Sequence, residues 1–249
     1  MTLYGTLIVA LLWFGSVLTA CLPPVTVHLI GDSTVSTYPA DYYPQMGWGQ
    51  VLDTFFNEQV TIDNQAVSGQ STRSFISRGH WEALLPELHP GDYLFIQFGH
   101  NDQKQDNAEK YAAAFGEFQD NLRRFVRLAR EKECHPVLIT PVTRRRFRNG
   151  LPYSTHENYP VAVRQVAHEL DVPLVDLHAR SLEELAHRGP EKSKELFLWL
   201  DSGQYARYPQ GRSDDTHFSE YGALQVGSWV MEAVADLDLP LARYRQPID

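Results

Sequence analysis

From residue 25 onward, short apolar or β-branched runs alternate with longer stretches in which apolar residues recur every three or four positions. The short runs are Val25–Ile30, Val60–Asn64, Tyr93–Phe98, Pro136–Ile139 and Pro173–Leu177, each with the length of a buried parallel strand. Within Tyr111–Glu133, the residues Phe115, Phe118, Leu122, Phe125, Val126 and Ala129 follow helical spacing, which predicts a helix with one buried face. Val163, Val166, Ala167 and Leu170 repeat the pattern, and a last helix carrying Leu224, Gly227, Trp229 and Met231 is expected to begin near Ser219. Strands alternating with helices argue for a parallel sheet covered by helices. No repeat, low-complexity tract or linker divides residues 25–249, so a single domain is expected over 21–249.

The first 20 residues break this pattern. MTLYGTLIVALLWFGSVLTA contains no charged side chain and runs into Cys21, Pro23 and Pro24, so it reads as a targeting segment outside the fold. It lacks the Lys or Arg that export signals usually carry near their start. The tetrad Leu18-Thr19-Ala20-Cys21 resembles the lipobox of bacterial lipoproteins, in which the cysteine carries lipid. A plain secretion signal and an uncleaved anchor are the competing readings. The expected location is extracytoplasmic, periplasmic or at the cell surface, with membrane attachment where Cys21 is lipidated.

Composition narrows the function classes. The 249 residues include 22 Lys+Arg and 31 Asp+Glu, a formal charge of −9, and 43% are hydrophobic. That apolar mass excludes a disordered chain, and the acidic balance offers no electrostatic reason to expect nucleic acid. Two cysteines, Cys21 and Cys134, make no disulfide framework. The ten histidines lack metal-ligand spacing, so no metal and no other cofactor is expected.

In an open α/β sheet, ligands bind beyond the carboxyl ends of the strands. There the chain places Gly31-Asp32-Ser33-Thr34, Val67-Ser68-Gly69-Gln70-Ser71 and Gly99-His100-Asn101-Asp102, with Asp214-Asp215-Thr216-His217 near the C-terminus. Taken singly, these are helix caps, turn residues and a histidine of no special role. Together they supply a hydroxyl nucleophile, an imidazole, a carboxylate and hydrogen-bond donors, the four groups that acyl transfer requires. The Asp-x-x-His spacing lets one loop deliver both carboxylate and imidazole. No G-x-S-x-G occurs, which disfavours an α/β-hydrolase.

In order and spacing the four blocks resemble the SGNH/GDSL hydrolase superfamily, with Ser33, Gly69, Asn101 and His217 as the residues that name it. The first block reads GDST in place of GDSL, a change at a position that is not catalytic. GDSTVSTYPADYYPQMGWGQ at 31–50, QFGHNDQ at 97–103 and DDTHFSEYGA at 214–223 look like rhamnogalacturonan acetylesterases, which remove acetyl esters from the pectin backbone. The resemblance implies a three-layer α/β/α sandwich, flavodoxin-like, around a mainly parallel five-stranded sheet. It implies Ser33 as nucleophile, His217 as general base and then acid, and Asp214 as the carboxylate that orients the imidazole. The oxyanion hole would comprise the backbone N–H groups of Ser33 and Gly69 and the side-chain amide of Asn101. The implied substrate is an acetylated polysaccharide or oligosaccharide. Rival readings are an esterase for another acyl ester, such as acetylated xylan or a lipid, and a non-catalytic carbohydrate-binding lipoprotein.

Two features are candidates for holding an acidic polysaccharide: the aromatic loop Tyr38, Tyr42, Tyr43 and Trp48, and the basic run Arg144, Arg145, Arg146, Phe147 and Arg148. Aromatic faces stack on sugars and guanidinium groups pair with carboxylates. Internal packing for the loop and a solvated charge cluster for the run are the competing readings. Tyr205, Arg207 and Tyr208 are weaker candidates of the same kind.

Overall fold

The computed structural model describes residues 22–246; the expected targeting segment 1–20 and Cys21 lie outside the described residues. All five expected strands form: β1 (Val25–Gly31), β2 (Val60–Asn64), β3 (Tyr93–Gln97), β4 (His135–Ile139) and β5 (Leu174–Val175). They make one sheet in the order β2-β1-β3-β4-β5, with every neighbouring pair parallel.

Alternate side chains of each strand leave the sheet on opposite faces, so the two faces carry separate cores. Leu29, Phe95 and Ile139 pack under the 3₁₀ helix Trp48–Phe55 and the C-terminal helices, whereas Ile30, Leu94, Ile96 and Leu138 face the other way. Helices α1 (Thr72–Ser77), α2 (His80–Leu84), α3 (Glu117–Glu131) and α4 (Tyr159–Glu169) cover that second face. The first is covered by α5 (Leu177–Lys192) and α6 (Glu220–Asp236). The result is the expected three-layer α/β/α sandwich. Cys134 is buried where the chain enters β4, its Sγ donating to His89 O at 3.1 Å; burial pushes its thiol up to about 11, which leaves it unreactive.

Helix α3 begins later than its periodicity predicts. Gly116 takes the N-cap with φ −151° and ψ −119°, and the chain before it runs through turns at Asn107 and Ala113. Phe115 is consequently 53% exposed, while Phe118, Leu122, Phe125, Val126 and Ala129 are buried as expected. Each large side chain so buried contributes about 1.5–3 kcal/mol. The last helix starts as expected, with Ser219 Oγ accepting from Gly222 N at 3.1 Å.

A second, antiparallel sheet went unanticipated. It pairs β6 (Phe197–Leu200) with β7 (Arg212–Ser219), which also pairs with Gln45–Met46. The sequence of β7, RSDDTHFS, has no apolar alternation, so periodicity cannot reveal it.

The register of the central pair positions the site. Gly31 lies opposite Gln97, so Asp32–Ser33 and Phe98–Asn101 leave the sheet side by side. A Cβ at Gly31 would sit 2.7 Å from the Gln97 carbonyl oxygen and 2.7 Å from Val35 Cγ2. Gly31→Ala is therefore expected to cost about 1–3 kcal/mol, read as a lowered urea midpoint; an unchanged midpoint would contradict this close approach.

Candidate active site

Beyond β1 the chain turns sharply on Asp32. Its buried carboxylate accepts from Thr34 N at 3.0 Å and Thr34 Oγ1 at 2.8 Å, and its backbone oxygen accepts from Val35 N and Ser36 N. This presents Ser33 at the top of the sheet, with its carbonyl held by the Tyr38 hydroxyl at 2.8 Å. Ser33 Oγ lies 3.1 Å from His217 Nε2, and His217 Nδ1 lies 2.9 Å from Asp214 Oδ2. Asp214 Oδ1 also accepts from the backbone N–H groups of Thr216, at 2.8 Å, and His217, at 3.0 Å. Burial opposes charge on Asp214, but the bonds from His217 and from Arg212 outweigh it and hold the carboxyl well below the usual carboxylate range. An ionised Asp214 requires a proton on Nδ1, which leaves Nε2 free to accept the serine proton.

Hydrogen-bond donors stand beside the serine. Gly69 has φ +79°, a left-handed conformation suited to glycine, and the nearest atom to a Cβ built there is Lys110 Nζ at 3.6 Å. Among the described residues, the N–H groups of Ser33 and Gly69 have no protein acceptor. Asn101 Nδ2 donates to Gln70 O at 2.9 Å and its Oδ1 accepts from Lys104 Nζ at 2.7 Å. Ser33, Gly69, Asn101 and His217 border one cleft of about 330 Å³, together with Lys104 and Arg144. Asp102 anchors the cleft floor, accepting from Thr72 N at 2.8 Å, Thr72 Oγ1 at 2.6 Å and Gly99 N at 3.1 Å.

The substrate-side expectations divide. Trp48 is fully buried, its Nε1 donating to Gln97 Oε1 at 2.9 Å, so it belongs to the core and meets no sugar. Arg144 reaches the cleft, steadied by Thr155 Oγ1 at 3.1 Å and His100 O at 3.3 Å. Arg145 does not: it is buried, bonded to Asp215 Oδ1 at 2.8 Å and to Pro190 O, and lies over the Trp199 ring. Arg146 pairs with the other oxygen of Asp215 at 3.1 Å and does not line the cleft. Asp215 is thus a structural tie, distinct from Asp214. Lys104 escaped sequence reasoning, although its place three residues after Asn101 on one turn is a usable signal. Among the described residues, no cluster of His, Cys, Asp and Glu is placed to hold a metal ion.

Behind the cleft, His100, His156 and His178 lie ring against ring, with centroids 4.4 and 6.1 Å apart. Burial lowers the pKa of all three, His178 to about 4. They are neutral in the folded protein and protonate in the unfolded chain below about 6.5, so their stabilisation is present above that pH and lost as pH falls. Each then tilts stability by up to about 1.4 kcal/mol per pH unit. His28 opposes them: burial lowers its pKa, but Asp63 and Asp92 outweigh this and raise it, a contribution present at low pH. Burial also pushes the Asp102 carboxyl up to about 7, a second opposing uptake of protons by the folded state, so the cluster is read against a variant: wild type is expected to lose more stability to urea between pH 7 and 5 than His178→Asn, and equal losses would contradict the neutral cluster.

Over 219 residues the chain is 46% identical to rhamnogalacturonan acetylesterase RhgT of Bacillus subtilis, covering 88% of this chain and 93% of that protein. It is 36% identical to the probable rhamnogalacturonan acetylesterase YesY of the same organism, covering 86% and 94%. The crystal structure of the Bacillus subtilis YxiM protein superposes with a TM-score of 0.75 at 27% identity, covering 88% of this chain and 58% of that one. Residues 29–223, which span the serine, glycine, asparagine and histidine blocks, match the GDSL-like Lipase/Acylhydrolase family, and the chain belongs to it.

Proposed function

We propose that the protein is a carbohydrate O-acetylesterase that removes acetyl groups from rhamnogalacturonan through an acetyl-serine intermediate. The observation that carries this reading is the unbroken hydrogen-bonded chain from Ser33 through His217 to Asp214, set beside unpaired N–H donors in a cationic cleft. The high identity to RhgT over most of both chains supports the substrate class.

In this reading Ser33 Oγ bonds to the acetyl carbonyl carbon while His217 Nε2 takes the hydroxyl proton. The carbonyl oxygen becomes an oxyanion facing the N–H groups of Ser33, Gly69 and Asn101. Collapse breaks the bond to the sugar oxygen, which leaves with the proton from His217. Water then attacks the acetyl-serine, giving its proton to His217, and acetate departs as the proton returns to Ser33. Arg144, the arginine of the basic run that borders the cleft, would pair with a uronate carboxylate beside the acetylated sugar.

Acetate release from acetylated rhamnogalacturonan, acetylated xylan and p-nitrophenyl acetate tests these assignments. Ser33→Ala is expected to lose at least about 1,000-fold on every ester. Arg144→Ala should raise KM on acetylated rhamnogalacturonan about tenfold and leave p-nitrophenyl acetate unchanged. Equal turnover by wild type and Ser33→Ala would sink the nucleophile, and faster release from xylan would sink the substrate.

The uncharged segment 1–20 followed by Cys21 supports export with a lipid on that cysteine. Cys21→Ser should move the exported protein from the membrane fraction to the soluble one; unchanged fractionation would rule lipidation out.

A further inference from the structure

Lys104 takes no part in the Ser33–His217–Asp214 chain, yet its Nζ lies 2.7 Å from the Asn101 side-chain oxygen. The Asn101 amide is gripped at both ends, since its Nδ2 donates to Gln70 O at 2.9 Å. An ammonium only donates and a carbonyl only accepts, so these two partners dictate which end of the amide is oxygen. One N–H of Nδ2 is taken by Gln70. The other has no protein acceptor among the described residues, and Asn101 borders the cleft. The turn that carries Lys104 is closed onto the same residue, with Lys104 N donating to Asn101 O at 3.1 Å.

We propose that Lys104 is a positioning residue for ester hydrolysis: its ammonium fixes and polarises the Asn101 amide so that the free N–H donates more strongly to the oxyanion. The inference rests on Ser33 being the nucleophile. A cation at Oδ1 draws electron density along the amide and makes its N–H groups more acidic, and hydrogen bonds so linked reinforce one another. Charge in the tetrahedral intermediate develops within reach of that N–H, so the benefit is larger in the transition state than with ester bound, which raises kcat and not affinity. Lys104 donates to this amide oxygen and not to a carboxylate, so its charge is not neutralised at the point of contact. Burial first, and then Lys110 and Arg144, lower the Lys104 pKa.

p-Nitrophenyl acetate, which has no carboxylate for a lysine to bind, separates this role from direct contact with a uronate. Lys104→Met is expected to lower kcat on it about ten- to hundredfold, with KM within about twofold of wild type. Lys104→Arg, which keeps a charged donor, should recover most of the loss. In an Asn101→Ala background, itself about 100- to 1,000-fold slower, Lys104→Met should add little, because the group it acts through is gone. Matched urea midpoints for the Met and Arg variants would show that both are folded. Wild-type kcat on p-nitrophenyl acetate for Lys104→Met, with KM raised only on acetylated rhamnogalacturonan, would overturn the proposal in favour of direct substrate contact. Full additivity with Asn101→Ala would overturn it as well. Undiminished turnover by Ser33→Ala is a different failure: it removes the nucleophile reading, and the proposal with it.

Discussion

The parallel pairing of β1 with β3 at Gly31 opposite Gln97 is the constraint on which the site depends. Two backbones meet there so closely that no Cβ fits between them. The Gln97 side chain then links three parts of the structure, donating to Thr34 Oγ1 at 2.6 Å and accepting from Trp48 Nε1 at 2.9 Å. Thr34 in turn holds the Asp32 carboxylate that shapes the turn at Ser33. The aromatic loop after β1, the turn bearing the serine and the end of β3 are thereby one buried polar unit. Burial makes each of these hydrogen bonds costly to leave unmade, so the arrangement is held as a whole.

The same unit explains how two carboxylate–imidazole pairs coexist within one site. Asp214 and His217 sit at the surface of the cleft, where Nε2 meets the Ser33 hydroxyl. Asp32 and His100 are joined by a 3.1 Å bond, both buried, with Asp32 beneath the cleft and His100 at its wall. Burial lowers the His100 pKa despite the neighbouring carboxylate, which keeps that ring neutral. Asp32 remains an anion because His100 and Thr34 outweigh the cost of its burial. The buried pair therefore supplies a fixed dipole and shape under Ser33, and the half-buried pair is the one that meets the serine hydroxyl.

The inner strands β1, β3 and β4 were legible because a strand buried on both faces is largely apolar, and the half-buried edge strand β2 by its β-branched run Val60, Thr61 and Ile62. Three of the four chemical blocks were legible because they follow β1, β2 and β3 in order, and the fourth, inside β7, because of its Asp-x-x-His spacing. Side chains whose role depends on which way they point were not. Trp48 and Arg145 carry the residue types expected of a sugar and carboxylate site, yet Trp48 fills the core and Arg145 is taken up by Asp215 and Trp199. Arg144, one position away, turns to the cleft. Which side chain reaches the cleft depends on where the backbone aims it and on partners such as Asp215 far along the chain, so composition alone cannot rank these residues. Phe115 failed for a related reason, since its periodicity is genuine but Gly116 breaks the helix that would have buried it.

The β7 strand shows why Asp214 and not Asp215 serves His217. In a regular strand, residues three apart lie on opposite faces, so an aspartate and a histidine at i and i+3 would be separated by the sheet. The pairing of β7 with β6 is interrupted between Asp214 and Phe218, where the register shifts. Such an irregularity rephases the side chains and re-aims those beyond it. Asp214 is thus left to accept from the backbone of Thr216 and His217 while also meeting the imidazole. Asp215 points away and binds Arg145 and Arg146, which tie β7 to the segment after β4, and Trp199 of β6. The Asp-x-x-His spacing brings carboxylate to imidazole only because the strand carrying it is irregular, and Asp215, one residue on, holds that irregular segment against the rest of the fold.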